Sequence, residues 1–186
     1  MRKLVVFNTV TLDGYFTGEN GDISWAHTDS QDAEWNDFVA GNAGGDGLLL
    51  FGRITYEMMV GYWPTPLAAE NDPVVAERMN NLPKIVFSRT LDEVSWQNTR
   101  LVQSDMVAEV QKLKNEPGPD MTILGSGSVI SQLAEAGLID EYQIVVAPVV
   151  LGYGRTMFDG LQEKLPLKLT KTRAFNNGNI WSCYQL

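Results

Sequence analysis

The sequence predicts an α/β fold in three layers: a central mixed, mostly parallel sheet with helices on both faces and a C-terminal antiparallel hairpin. Three observations predict it. Short runs rich in Val, Ile, Leu and Phe alternate along the chain with segments of helical apolar spacing. The early runs Leu4–Phe7 and Leu48–Phe51 are continuously apolar, as strands covered on both faces are. The last two runs, "LKLTKTRAF" and "NIWSCYQL", alternate polar with apolar residues around a loop containing Asn177 and Gly178, the pattern of an antiparallel pair. No repeat, low-complexity segment or linker divides the 186 residues, so one domain over 1–186 is expected.

Taken in order, "KLVVFNTV" is the first strand, and "LDGYFTGENGDISW" reads as loop, punctuated by Gly14, Gly18 and Gly21. "SQDAEWNDFVAG" is a helix that Ser30 can cap, with Trp35, Phe38 and Val39 on one face. "GLLLFG" is a second buried strand, and "RITYEMMVGYW" is the short helix after it. "DPVVAERMNNL" is a helix with Asp72 as cap and Pro73 in the first turn. "KIVFS" is a third strand, and "VSWQNTRLV" contains a fourth. "DMVAEVQKLKN" is amphipathic, with Val107, Val110 and Leu113 on one side. "MTILG" is a strand, "SVISQLAEAG" a helix capped by Ser128 and closed by Gly137, and "EYQIVVAPVVLG" one long strand.

Composition excludes several classes. Lys plus Arg number 14 against 23 Asp plus Glu, a formal net charge of -9, so general nucleic-acid binding is not expected. The single cysteine, Cys183, permits no intrachain disulfide and fits a cytoplasmic protein with a buried, inert thiol. With His27 the only histidine, a Cys/His metal site is not expected, and no paired-cysteine deaminase pattern occurs. Polar Asn8, Thr9, Thr11 and Asp13 interrupt the N-terminal apolar run, so it does not read as a signal peptide. No apolar stretch is long enough to span a bilayer.

Three strand ends carry the candidate chemistry. In "ILGSGSVISQL" a buried strand ends at Gly125, and Ser126, Gly127 and Ser128 lead into a helix. A helix N-terminus offers free N–H groups and a positive dipole end, which suits a phosphate. The same residues also make a tight turn and a serine cap, and the motif alone leaves both readings open. It is not a P-loop, because it has no lysine, nor a dinucleotide fingerprint, because Ile130 stands where the third glycine or alanine belongs. It does not match a G-x-S-x-G nucleophile elbow either. "LLLFGRITYE" repeats the strand–glycine–helix order with Gly52, Arg53 and Thr55, and Arg53 has the planar fork that grips a phosphate. "IVFSRTL" ends a strand in Ser88 and Arg89. Each alone also reads as a capped helix with a solvated arginine, yet ligands of open α/β sheets bind beyond the carboxyl ends of such strands.

These segments, with "TVTLDGYF" before them and "LIDEYQIVVAPVVLGYGRTMF" after, resemble in content and order the dihydrofolate reductase superfamily. The branch they are most similar to is the reductase half of the riboflavin-biosynthesis deaminase-reductase, and the resemblance spans essentially the whole chain. It implies a dihydrofolate reductase-like fold and NADPH as cofactor. It implies that Arg53 meets the 2′-phosphate, with Gly52 and Thr55 on the phosphates and Ser88 and Arg89 on the adenosine side. Gly125 to Val129 (Gly125, Ser126, Gly127, Ser128 and Val129) then match the loop under the pyrophosphate, and Leu12, Asp13 and Gly14 the loop closing over the nicotinamide. On the substrate side it implies Asp32 as the carboxylate of the first helix, Trp25 near the pocket, and Arg155 facing a substrate anion. Asp32 also reads as an early-helix acid favoured by the dipole. Reduction of a small, flat, pteridine- or pyrimidine-like acceptor and a homodimer are the further implications. A non-catalytic NADPH-binding or ligand-sensing protein on the same fold is the alternative.

Overall fold

The computed structural model describes residues 1–26, 32–42 and 47–186. Among these, an eight-stranded sheet runs in the spatial order β5-β4-β3-β6-β1-β7-β10-β9. Its strands are β1 (Leu4–Thr11), β3 (Leu48–Gly52), β4 (Lys84–Phe87), β5 (Thr99–Val102), β6 (Met121–Leu124), β7 (Glu141–Ala147), β9 (Lys168–Ala174) and β10 (Ile180–Gln185). All neighbours from β5 to β7 are parallel, and the last two pairings, β7 with β10 and β10 with β9, are antiparallel. The expected mixed, mostly parallel sheet with a C-terminal hairpin is therefore what forms. A separate two-stranded ribbon pairs β2 (Tyr15–Thr17) with β8 (Arg155–Thr156).

Six α-helices accompany the strands among the described residues: α1 (Ala33–Asn42), α2 (Arg53–Tyr62), α3 (Pro66–Asn71), α4 (Pro73–Asn81), α5 (Met106–Asn115) and α6 (Gly127–Glu135). The period of two along each central strand divides its side chains between two cores. Leu4, Val6, Leu48, Leu50, Ile85, Met121 and Ile123 pack on one face with Val110 and Leu113 of α5 and Ile130 and Leu133 of α6. Leu49, Phe51 and Val86 pack on the other with Tyr56 of α2 and Met79 of α4. This is why the runs read as continuously apolar: neither face meets water. On the second face α1 lays Phe38 against Phe7, Phe175 and Trp181, with ring centroids 6.4, 5.0 and 5.5 Å apart.

The structure departs from the sequence reading in four places. The long strand expected over 141–152 stops at Ala147, because Pro148 has no N–H to continue a ladder. The segment read as loop after β1 contains β2, which exists only by pairing with β8. Helix α3, with Thr65 Oγ1 accepting the Ala68 N–H at 3.3 Å and Pro66 at its first position, was not foreseen. The cap of α6 is Ser126 rather than Ser128, and Ser126 makes no side-chain capping bond. The expected cap Ser30 and the lone histidine His27 lie outside the described residues. Among the described residues no helix is long and apolar enough to cross a membrane.

Candidate functional site

One broad cleft lies over the carboxyl ends of the parallel strands. Its centre is built where β3 runs into α2 and β6 runs into α6. These strands are adjacent and parallel, with Leu50 opposite Ile123, so the two helix N-termini emerge side by side. They are also fastened together. The Gly52 N–H donates to Ser126 Oγ at 2.7 Å, and the Ser126 hydroxyl donates to Thr55 Oγ1 at 2.8 Å. Ser126 and Thr55 are 8% and 6% exposed, so this relay is sealed from solvent competition. One strand over, Asn8 is equally buried, and its Oδ1 accepts the Gly125 N–H at 2.8 Å.

The loop geometry requires its glycine. Gly125 and Ser126 sit consecutively in the left-handed region, at φ of 63° and 62°. A Cβ on Gly125 would lie 2.8 Å from both Cγ2 and Oγ1 of Thr55. The backbone can pass between Asn8 and Thr55 only without a side chain there. What remains available to a ligand is main-chain N–H. In α6 the Val129 N–H already turns back to the Ser126 carbonyl at 2.9 Å, which leaves the N–H groups of Gly127 and Ser128 without intrahelical acceptors beside the start of α2, and two positive dipole ends converge there. The Ser126 and Thr55 hydroxyls hold the two helix starts together, and Ser128 stands exposed on the first turn of α6.

Arg53 lines the cleft on the first turn of α2, and its Nη1 donates to both carboxylate oxygens of Glu57, one helical turn on, at 2.9 and 3.1 Å. Arg89 lines the cleft beyond β4 and is exposed, with no carboxylate partner among the described residues. Ser88 Oγ accepts the N–H groups of Thr90 and Leu91, both at 3.1 Å, so Ser88 shapes the turn that presents Arg89. The β2–β8 ribbon brings Phe16, Thr17 and Arg155 to the cleft, with Phe16 beside Gly127 at the start of α6, and Tyr153, Trp25 and Trp35 line it too.

The structure therefore gathers Gly52, Arg53, Thr55, Ser88, Arg89, Gly125 to Val129, Trp25 and Arg155 around one cleft. It does not bring in four others. Leu12, Asp13 and Gly14 form a turn beside it, where Asp13 accepts from the Thr11 hydroxyl at 2.6 Å and from the Gly152 N–H at 2.7 Å. That Thr11 hydroxyl, followed by the N–H groups of Gly152 and Leu151, holds the Asp13 carboxyl below its ordinary range. Asp13 is a tie between two loops. Asp32, the candidate acid, caps α1 instead. Its Oδ1 accepts the Glu34 and Trp35 N–H groups at 3.0 and 3.2 Å, and its Oδ2 accepts the Asn177 N–H at 3.1 Å. The attraction of an acid to the helix start outweighs a place in the cleft.

Two residues were missed. Asn8 could have been found as a polar residue in an otherwise apolar central strand, which needs a buried partner. Glu57 could have been found from its spacing of four from Arg53. Among the described residues no cluster of His, Cys, Asp and Glu could hold a metal ion.

Comparison with known proteins fits this architecture. The chain is 31% identical over 183 residues to the uncharacterized protein YyaP of Bacillus subtilis (strain 168), covering 98% of this chain and 94% of that one. A solved structure from Shewanella sp. PV-4, of a protein named for riboflavin biosynthesis, aligns with a TM-score of 0.74 at 25% identity over 98% of both chains. Dihydrofolate reductase from Enterococcus faecalis, solved in complex with NADP(H) and RAB-propyl, shares the fold with a TM-score of 0.60 at 16% identity, covering 98% of this chain and 95% of that one. A family model described as the RibD C-terminal domain matches residues 2–181, and the protein belongs to that family.

Proposed function

We propose that the protein is an NADPH-dependent reductase that delivers a hydride to a small, flat heterocycle of pteridine or pyrimidine type. The observation that carries this reading is the paired N-termini of α2 and α6, locked by the Gly52–Ser126–Thr55 relay. A pyrophosphate has two linked anionic groups, and two adjacent helix starts offer two sets of N–H donors that need no reorganisation to receive it. The closeness of Gly125 to Thr55 supports the fit, since it leaves main chain rather than side chain facing the ligand. Arg53 and Arg89, at the ends of β3 and β4, supply cationic forks on the side where a phosphorylated ribose would extend.

The bound cofactor would supply the hydride. The chain's own part is to bind and orient. Phe16, Trp25, Trp35 and Tyr153 offer aromatic faces to a flat acceptor and limit water beside it, and Arg155 can meet an anionic substituent. The engagement of Asp32 as a helix cap favours one second reading, a non-catalytic NADPH-binding protein on this fold.

Calorimetric titration with NADPH and NADH, followed by NADPH oxidation with a panel of pteridine and pyrimidine acceptors, separates these. Binding with turnover supports the reductase, binding without turnover of any acceptor supports the second reading, and no binding removes both. Arg53→Ala should weaken NADPH by about 1.5–3 kcal/mol through loss of a charge-assisted phosphate contact and leave NADH nearly unchanged.

A further inference from the structure

We propose that Glu57 sets how strongly the cleft prefers a phosphorylated nicotinamide cofactor, by competing with the cofactor's 2′-phosphate for Arg53. The inference rests on Arg53 as the phosphate contact proposed above. Arg53 and Glu57 stand at positions i and i+4 of α2, so their side chains meet on one helix face. A single nitrogen, Nη1, serves both carboxylate oxygens, at 2.9 and 3.1 Å. This is not the two-nitrogen, fork-on-fork pairing that makes arginine–carboxylate contacts strong. Both side chains are nearly half exposed, 43% and 47%, which places the pair among surface ion pairs that yield readily to a better partner.

A phosphate that takes the Arg53 fork must displace the carboxylate or accept it as a neighbour of like charge. Either way Glu57 subtracts from binding of the phosphorylated cofactor. The unphosphorylated cofactor has nothing to place there and is indifferent to Glu57. The contrast with the other arginine at this end sharpens the point. Arg89 lines the same cleft, and no described carboxylate pairs with it. The competitor is fitted to Arg53 alone. Glu57 thereby acts as a specificity-determining residue through Arg53, without itself lining the cleft.

The test is titration of the wild type, Glu57→Gln and Arg53→Ala with NADPH and with NADH, at low and high salt. Glu57→Gln removes the charge while keeping the length and polarity of the side chain, and its exposed position on α2 spares the core. The expected result is NADPH binding about 3–10-fold tighter in Glu57→Gln with NADH unchanged, the gain shrinking as salt screens the charges. Weaker NADPH binding in Glu57→Gln would mean that Glu57 orients Arg53 for the phosphate, and unchanged binding would mean that it plays no part. Both overturn the proposal, and both leave Arg53 as the phosphate contact, provided Arg53→Ala loses the NADPH preference. If Arg53→Ala keeps the wild-type preference, the assignment of Arg53 falls and the proposal with it.

Discussion

Two parts of the cleft wall are built in opposite ways. Where β3 and β6 run into α2 and α6, polar groups are buried and spent on each other: Asn8 on Gly125, and Ser126 on Gly52 and Thr55, every one of these side chains under a tenth exposed. On the other side, the cover is a ribbon of three half-buried residues paired with two, and β8 is exposed throughout. It is held by backbone pairing, by Phe16 packed against the core, and by the Asp13 tie to Leu151 and Gly152. A sealed relay gives fixed geometry. A short ribbon with one exposed strand gives up little stability when the residues of that strand change.

The comparison breaks most severely at Gly125. Gly125→Ala adds a Cβ 2.8 Å from Thr55 at a φ that only glycine adopts freely, and the relay cannot yield because it is buried. The expected cost is roughly 2–4 kcal/mol in denaturant unfolding, with loss of nucleotide binding. A variant that melts and binds like the wild type would show that the Gly52–Ser126–Thr55 relay is not rigid.

Gly154→Ala tests the other side with a nominally worse clash. Its Cβ would fall 2.1 Å from the Thr17 carbonyl oxygen, at a φ of 141°. A two-stranded ribbon whose β8 is exposed can relieve this by parting at β8, so the expected stability loss is smaller, roughly 1–3 kcal/mol. Cofactor affinity should survive while acceptor turnover falls. Equal loss of cofactor binding would mean that the two parts are not independent.

The smallest effect is at Asp13. Its carboxyl is held below the ordinary value of 3.8, chiefly by the Thr11 hydroxyl. A group whose pKa is depressed by folding stabilises the protein above its unfolded pKa, and that contribution disappears as pH falls through the lowered folded value. The stability difference between the wild type and Asp13→Asn should therefore be constant above pH about 5 and shrink below pH about 4. A difference that persists undiminished in acid would mean that the Asp13 tie does not depend on its charge.

Much of the fold was legible from local pattern. Continuous apolar runs announced β1 and β3, alternation announced the β9–β10 pair, and glycines after strands marked the turns into α2 and α6. The β2–β8 ribbon was not legible, because three residues and two residues carry no period and acquire their strand character only from Tyr15 meeting Thr156 across the chain. In the candidate site, the residue types at the three strand ends were readable but their tasks were not. Ser126 and Thr55 were readable as strand-end hydroxyls, and the bond that fastens them to each other was not. Asp32 looked like a catalytic acid, and it is a cap whose other oxygen reaches the far hairpin at Asn177.

By itself the sequence determined which segments become strands and helices and where the chain turns, because hydrophobic period, caps and glycine act over a few residues. Only the tertiary structure decided that β3 lies beside β6, which sets Gly52 against Ser126, 74 residues apart in the chain. Strand neighbours are chosen by the packing of whole faces and by hydrogen bonds between distant segments, and no local window of sequence contains both partners.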